Sequence, residues 1–172
     1  MNTDETLLRK VRSKSNLVKA WIKIHANGMQ SESKRTRDEI KAFSEKSDLN
    51  LNHLYRSLLR GNFAFNKSKG VPIRRPGKTA RPIVISSIED RIVQRSILDV
   101  LQGIPEISEY INISTSFGGL ENKGTRQAFT TLASLIKSEN LQYFAKSDIK
   151  DFFRGIPKDT VISQIRNLIG DQ

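Results

Sequence analysis

Residues 71–85, VPIRRPGKTARPIVI, restrict the fold more than any other stretch of this chain. Val71-Pro72-Ile73 and Pro82-Ile83-Val84-Ile85 read as two strands joined by Pro76-Gly77-Lys78. Proline presets φ and glycine tolerates positive φ, so Pro-Gly fixes a tight turn. Upstream, Phe63-Ala64-Phe65 alternates with polar neighbours, and downstream a further short apolar strand is expected at Tyr143–Ala145. Nearly everything else carries helical periodicity. The expected fold class is therefore α+β, mostly helical, with one small antiparallel hairpin.

The helical readings run in order. Leu7, Leu8, Val11, Leu17, Val18, Trp21 and Ile22 predict a helix over residues 5–27, with Trp21 as a core anchor and Asn27-Gly28 as its stop. Residues 29–36 read as polar loop. Ile40 and Phe43 suggest a short helix, and Leu49 to Leu59 a firmer one closed at Gly61. Ser86-Ser87-Ile88-Glu89 reads as a capping box, with Ser86 accepting from the Glu89 amide. It opens a helix over Asp90–Leu101 that buries Ile92, Val93, Ile97, Leu98 and Leu101, and Gly103 and Pro105 close it. Residues 106–121 read as irregular, with a loop at Ser116-Phe117-Gly118-Gly119. A helix over Thr125–Ser138 turns Ala128, Phe129, Leu132, Leu135 and Ile136 inward. Pro157 starts a last one carrying Val161, Ile162, Ile165 and Leu168.

Charge narrows the partners. The net charge is +11, and it is uneven: residues 1–80 hold 18 Lys and Arg against 7 Asp and Glu, whereas residues 81–172 hold 11 against 11. A basic first half argues for a polyanion, nucleic acid foremost; a merely soluble basic surface or a membrane-surface helix is the competing reading. No run reaches the length of a membrane span. Without cysteine there is neither a disulfide framework nor a thiolate metal site, which fits a cytoplasmic protein. His25 and His53 stand too far apart in sequence to suggest zinc. Arg74, Arg75, Lys78 and Arg81 gather on the hairpin, where a guanidinium fork suits phosphate; an edge hairpin kept soluble by charge is the plainer alternative.

The stretch YFAKSDIKDFFRGIP, residues 143–157, holds the chemistry-bearing acid. Asp148 follows the expected strand, where a carboxylate can hold a divalent cation at the floor of a cleft. Asp151, Phe152 and Phe153 follow. Magnesium takes oxygen ligands and usually one or two protein carboxylates beside substrate phosphates. A helix-capping Asp is the alternative reading.

Taken in order, LVKAWIKIHANG, LNHLYRSLLRGNF, VPIRRPGKTARPIVIS, IEDRIVQRSILDVL, SFGGLENKGTRQAF and FAKSDIKDFF resemble the first half of a bacterial reverse transcriptase of the group II intron, retron or phage-defence kind, over residues 17–169. The resemblance implies right-hand polymerase fingers plus the first strand and helix of the palm: a basic helical region at 1–60, fingers at 61–140 and an incomplete palm at 141–172. It implies RNA-directed DNA synthesis with Mg2+ or Mn2+, dNTP, and an RNA template and primer. Asp148 matches the first palm aspartate, with the Ile149 carbonyl as a further metal ligand. Arg74, Lys78 and Arg81, with Asp151 and Phe152, match positions at the incoming triphosphate. Phe153 matches the steric gate that excludes a ribose 2′-hydroxyl. Lys67, Lys69, Arg75, Arg91, Gln94 and Arg95 match RNA-facing positions. SFGG departs from the SYGFRP common in intron enzymes, which points to a defence-type or unclassified relative.

The family's Tyr-x-Asp-Asp element has no counterpart, since no Asp-Asp pair occurs. The resemblance thus implies a fragment, a split half or a truncated product, inactive alone, that needs a C-terminal palm and thumb segment in cis or in trans. A non-catalytic RNA-binding or scaffold module built from the same fingers is the alternative. A nuclease built on Asp148 and Asp151 is a third, weakened by the lack of another acid or histidine nearby in sequence.

Overall fold

The computed structural model describes the backbone of residues 3–75, 77–120, 122–149 and 152–170, and side chains within these except at 3–6, 69, 73–75, 78–83, 153 and 154. The chain divides into two compact units, Met1–Leu101 and Gln102–Gln172. The described elements are mostly helical, with one two-stranded antiparallel sheet.

The first unit holds α1 (Thr3–Val11), α2 (Lys14–Met29), α3 (Lys34–Ser44), α4 (Ser47–Leu59), β1 (Lys69–Arg75), β2 (Lys78–Ile85) and α5 (Ile88–Gln102), whose last residue falls past the division. The single helix expected over residues 5–27 is two. The break follows from Ser13, whose side chain accepts the Asn16 N–H at 3.3 Å and caps α2, offering the backbone an alternative to continuing α1. Nor does Gly28 stop α2. It lies inside the helix and is buried, because a Cβ there would stand 2.5 Å from Ile40 Cγ1; the glycine lets α2 and α3 approach. The core joins Leu17, Ala20, Trp21 and Ile24 of α2 to Ile40 and Phe43 of α3, Leu51 and Leu54 of α4, and Ile92 and Val93 of α5. Burying each Leu, Ile or Val contributes about 1.5–3 kcal/mol. Trp21 is the expected anchor, its ring 4.6 Å from that of Phe43 and edge-on to His25 at 5.3 Å.

The hairpin forms where the sequence places it, with strands longer than the expected cores. Val71 pairs with Ile83, Pro72 with Pro82 and Ile73 with Arg81. Facing prolines lack both ladder donors, so they suit a non-hydrogen-bonded pair. From Ile73–Arg81 to Arg75–Lys78, β1 advances by two residues and β2 by three, so β2 carries a bulge. Gly77 takes φ +70° at the turn, the conformation for which glycine was expected there; Pro76 lies outside the described residues. No strand forms over Phe63–Phe65, whose two rings instead meet edge to face at 5.2 Å.

The second unit holds α6 (Pro105–Ile111), α7 (Thr125–Ser138), α8 (Phe152–Gly155) and α9 (Lys158–Ile169). Pro105 opens α6 rather than closing the helix before it, and residues 106–111, expected to be irregular, are helical; proline suits a first helical turn because its missing N–H is not needed there. The region of α6 packs with α9, and Ile107 is buried. The loop at residues 116–119 is present, with Gly119 at φ +73°. Helix α7 has the expected bounds but not the expected burial: Phe129 is 67% exposed, and Leu132, Leu135 and Ile136 are exposed too. Val161 and Ile162 of α9 are likewise exposed, and Pro157 caps α9 from outside instead of entering its first turn.

Candidate functional site

The hairpin is an unstable element by itself, since two isolated strands bury too little. Its incoming segment is fastened by a buried acid. Asp90, in the first turn of α5 and 1% exposed, accepts the Asn66 backbone N–H with both carboxylate oxygens at 3.2 Å each. The Asn66 side-chain amide reaches Ser87 Oγ at 3.1 Å and Asp90 Oδ1 at 3.5 Å. Ser87 Oγ also accepts the Asp90 N–H at 3.1 Å. The cap of α5 is therefore Ser87, one residue beyond the expected Ser86. The acid three residues after it faces inward to hold the strand approach instead of reaching back in a reciprocal box. An Ser-x-x-Asp reading of Ser87–Asp90 was the available signal.

Beside this joint lies a hollow of about 450 Å³. Ala42, Phe43, Val71, Ile85 and Ile88 give it an apolar floor, and Arg35, Glu39, Asn66, Lys67 and Glu89 stand among its polar lining. Arg35 and Glu39 are paired at 2.9 Å. Lys67 thus sits at the base of the hairpin, beside the start of α5.

On α5, Gln94 is exposed and Arg91 half-buried. Leu98, expected on the buried face, is 40% exposed, and Ile97 and Leu101 are only partly covered. Arg95 is engaged: its Nη2 donates to Asp99 Oδ1 at 2.7 Å, and Lys23 of α2 reaches the same oxygen at 3.1 Å. One turn earlier, Ser96 Oγ donates to the Val11 carbonyl at 2.6 Å and accepts from Asn16 Nδ2 at 2.7 Å. Both links tie α5 to the α1–α2 junction. On the hairpin, Arg74 and Arg75 stand in β1, and Lys78 and Arg81 in β2. The register sets Arg75 opposite Lys78, while Lys69 pairs with Ile85 at the open end. Four cationic positions therefore share one pair of strands near its turn.

Asp148 belongs to the second unit. The expected strand at Tyr143–Ala145 is not formed: residues 141–149 are neither helix nor strand, and Tyr143 is 94% and Phe144 77% exposed. A strand exists only by pairing, and the described residues offer this segment no partner strand. Asp148 is consequently exposed rather than held at a buried strand end, and so is Ile149. Phe152 begins α8 and is 48% exposed. Phe153 follows within α8, and Asp151 lies outside the described residues.

Among the described residues, no group of three or more Asp, Glu, His or Cys side chains could hold a metal ion. One exposed carboxylate does not fit a two-metal site by itself. No described helix is long and apolar enough to cross a membrane. No protein-family model matches the chain, and no curated protein sequence matches it significantly.

Proposed function

We propose that this chain supplies the fingers and the beginning of the palm of an RNA-directed DNA polymerase. The observation that carries the reading is the hairpin with Arg74, Arg75, Lys78 and Arg81, fastened through Asn66 to the first turn of α5. In this reading Arg74, Lys78 and Arg81 offset the charge of an incoming deoxynucleoside triphosphate, since phosphoryl transfer depends mostly on positioning and charge neutralisation. Lys67, Lys69, Arg75, Arg91 and Gln94 meet the RNA through phosphate and 2′-hydroxyl contacts. Arg95 holds Asp99 and acts by positioning α5. Asp148 and the Ile149 carbonyl contribute a share of the magnesium ligands, and Phe153 bars the 2′-hydroxyl. The remaining carboxylates come from a further segment in cis or in trans, and a role in phage defence fits the departure at SFGG.

Primer extension on an RNA template with magnesium, in an assembly that supplies those carboxylates, tests the reading. Asp148→Ala should abolish extension; extension unchanged by that substitution removes Asp148 from the site.

A second reading, an RNA-binding or scaffold module without catalysis, is favoured by the exposure of Asp148 and the absence of a described carboxylate group around it. It predicts RNA binding indifferent to both magnesium and Asp148→Asn.

A further inference from the structure

A second hollow, of about 590 Å³, opens on the helical part of the first unit, away in sequence from every residue assigned above. It is lined by Lys14, from the first turn of α2, and by Leu49, Asn50, Asn52, His53 and Arg56 of α4. Lys14, Asn52, His53 and Arg56 are exposed. The Lys14 ammonium is placed by Tyr55, lying 5.1 Å from the centre of its ring. Among the described residues no acid pairs with Lys14 or with Arg56. The Asn50 amide is already used, donating to the Phe43 carbonyl at 3.3 Å, which leaves Asn52 as the free amide of the lining. Asp48 lines an adjoining smaller hollow that shares Lys14 and Asn52, so an anion would seat toward His53 and Arg56.

The sequence supplies an independent observation. Residues 49–88 contain no Asp or Glu and eight Lys or Arg. Arg60, exposed and four residues after Arg56, extends the cationic line to the end of α4.

We infer that this hollow binds the phosphodiester backbone of single-stranded nucleic acid, as a contact surface additional to the hairpin and α5. The inference rests on the nucleic-acid part of the function proposed above. Cations and side-chain amides are the donors that phosphate and sugar oxygens require, and they carry no sequence preference. The volume falls within the range of ligand pockets, about 300–1,000 Å³. The face of Tyr55 favours the Lys14 ammonium at this edge of the hollow.

The test is fluorescence anisotropy of a labelled mixed-sequence single-stranded RNA of about 20 nucleotides, titrated with the full chain over a range of salt. Lys14→Glu with Arg56→Glu should weaken binding about tenfold or more and lower the slope of log affinity against log salt by about 1–1.5. Lys34→Glu with Lys41→Glu, two exposed α3 positions outside the hollow, makes the same change in net charge and should lower affinity much less. Lys14→Gln with Arg56→Gln should reproduce the loss with an unchanged thermal midpoint, which separates lost contacts from lost folding. Equal losses in the two charge-matched Glu pairs would overturn the inference and leave the nucleic-acid reading standing, as would groove variants that bind like the parent. No RNA binding by the parent chain would overturn both. Binding to phosphatidylserine vesicles in place of RNA, lost in the groove variants, would overturn the inference in favour of a membrane surface.

Discussion

Asp90 takes the backbone N–H of Asn66 between its two carboxylate oxygens, 3.2 Å from each, across a gap of 24 residues in sequence. That contact couples the entry to the hairpin with the first turn of the helix that follows it. A buried acid at this place also complements the partial positive charge at a helix N-terminus. Replacing Asp90 with Ala leaves the Asn66 backbone N–H without its acceptors and should cost about 1–3 kcal/mol. Asp90→Asn keeps one acceptor oxygen and should cost less. Denaturant unfolding of the three proteins checks the order.

Gly28 and Ile40 make a second coupled pair. A methyl group at residue 28 would meet Ile40 Cγ1 at 2.5 Å and Cδ1 at 2.8 Å, far inside ordinary contact. Gly28→Ala should therefore destabilise by about 1–3 kcal/mol, against the usual helical preference for alanine. Ile40→Ala alone should cost about 2–5 kcal/mol through the cavity it leaves. The double substitution should cost less than the two together, because the new methyl fills part of that cavity.

This pair shows where the sequence stops being legible. Asn27-Gly28 carries the local signature of a helix end, and only the approach of α3 reveals that the glycine is there for space. Local chemistry was readable where one residue suffices, as with Gly77 in the turn, Gly61 after α4 and the bounds of α7. The break at Ser13 was hidden because apolar spacing runs on across it. The burial of Asp90 was not readable, because its partner, Asn66, lies far back in the chain. Periodicity found the apolar face of α7, yet Phe129 and Leu132 remain exposed, since an amphipathic pattern announces a partner without supplying one. For the same reason an apolar run at Tyr143–Ala145 did not become a strand. The cationic positions of the hairpin were readable as a group. The exposure of Asp148 was not, because the expectation of a buried carboxylate depended on that strand.

Arg91 and Arg95 lie on one helix but should respond differently to substitution. Arg95 and Lys23 converge on Asp99, whose side chain is only 14% exposed. Asp99→Ala leaves two cations without their shared acceptor and should cost about 1–3 kcal/mol. Arg95→Ala should likewise act mainly on stability and hardly on RNA affinity, its guanidinium being committed to Asp99. Arg91, with no acid within ion-pairing distance among the described residues, should show the reverse. Thermal unfolding and RNA titration of the same two variants decide this, and an Arg95→Ala protein that melts like the parent but binds RNA poorly would return Arg95 to the interface.

The proposed sugar gate gives the sharpest test of the polymerase reading, because a merely structural aromatic cannot imitate its outcome. If Phe153 stands against the 2′ position of the incoming nucleotide, Phe153→Ala should raise ribonucleotide incorporation relative to deoxynucleotide by about tenfold or more, the scale of a contact worth about 1–3 kcal/mol in discrimination. Phe153→Tyr keeps the wall and should keep the selectivity. A packing role would lower both incorporation rates together and leave their ratio unchanged. Steady-state extension with matched ribo- and deoxynucleotide series, in the assembly that supplies the remaining carboxylates, yields that ratio directly. A constant ratio would remove Phe153 from the nucleotide site, while Asp148→Ala would still report independently on the metal ligand.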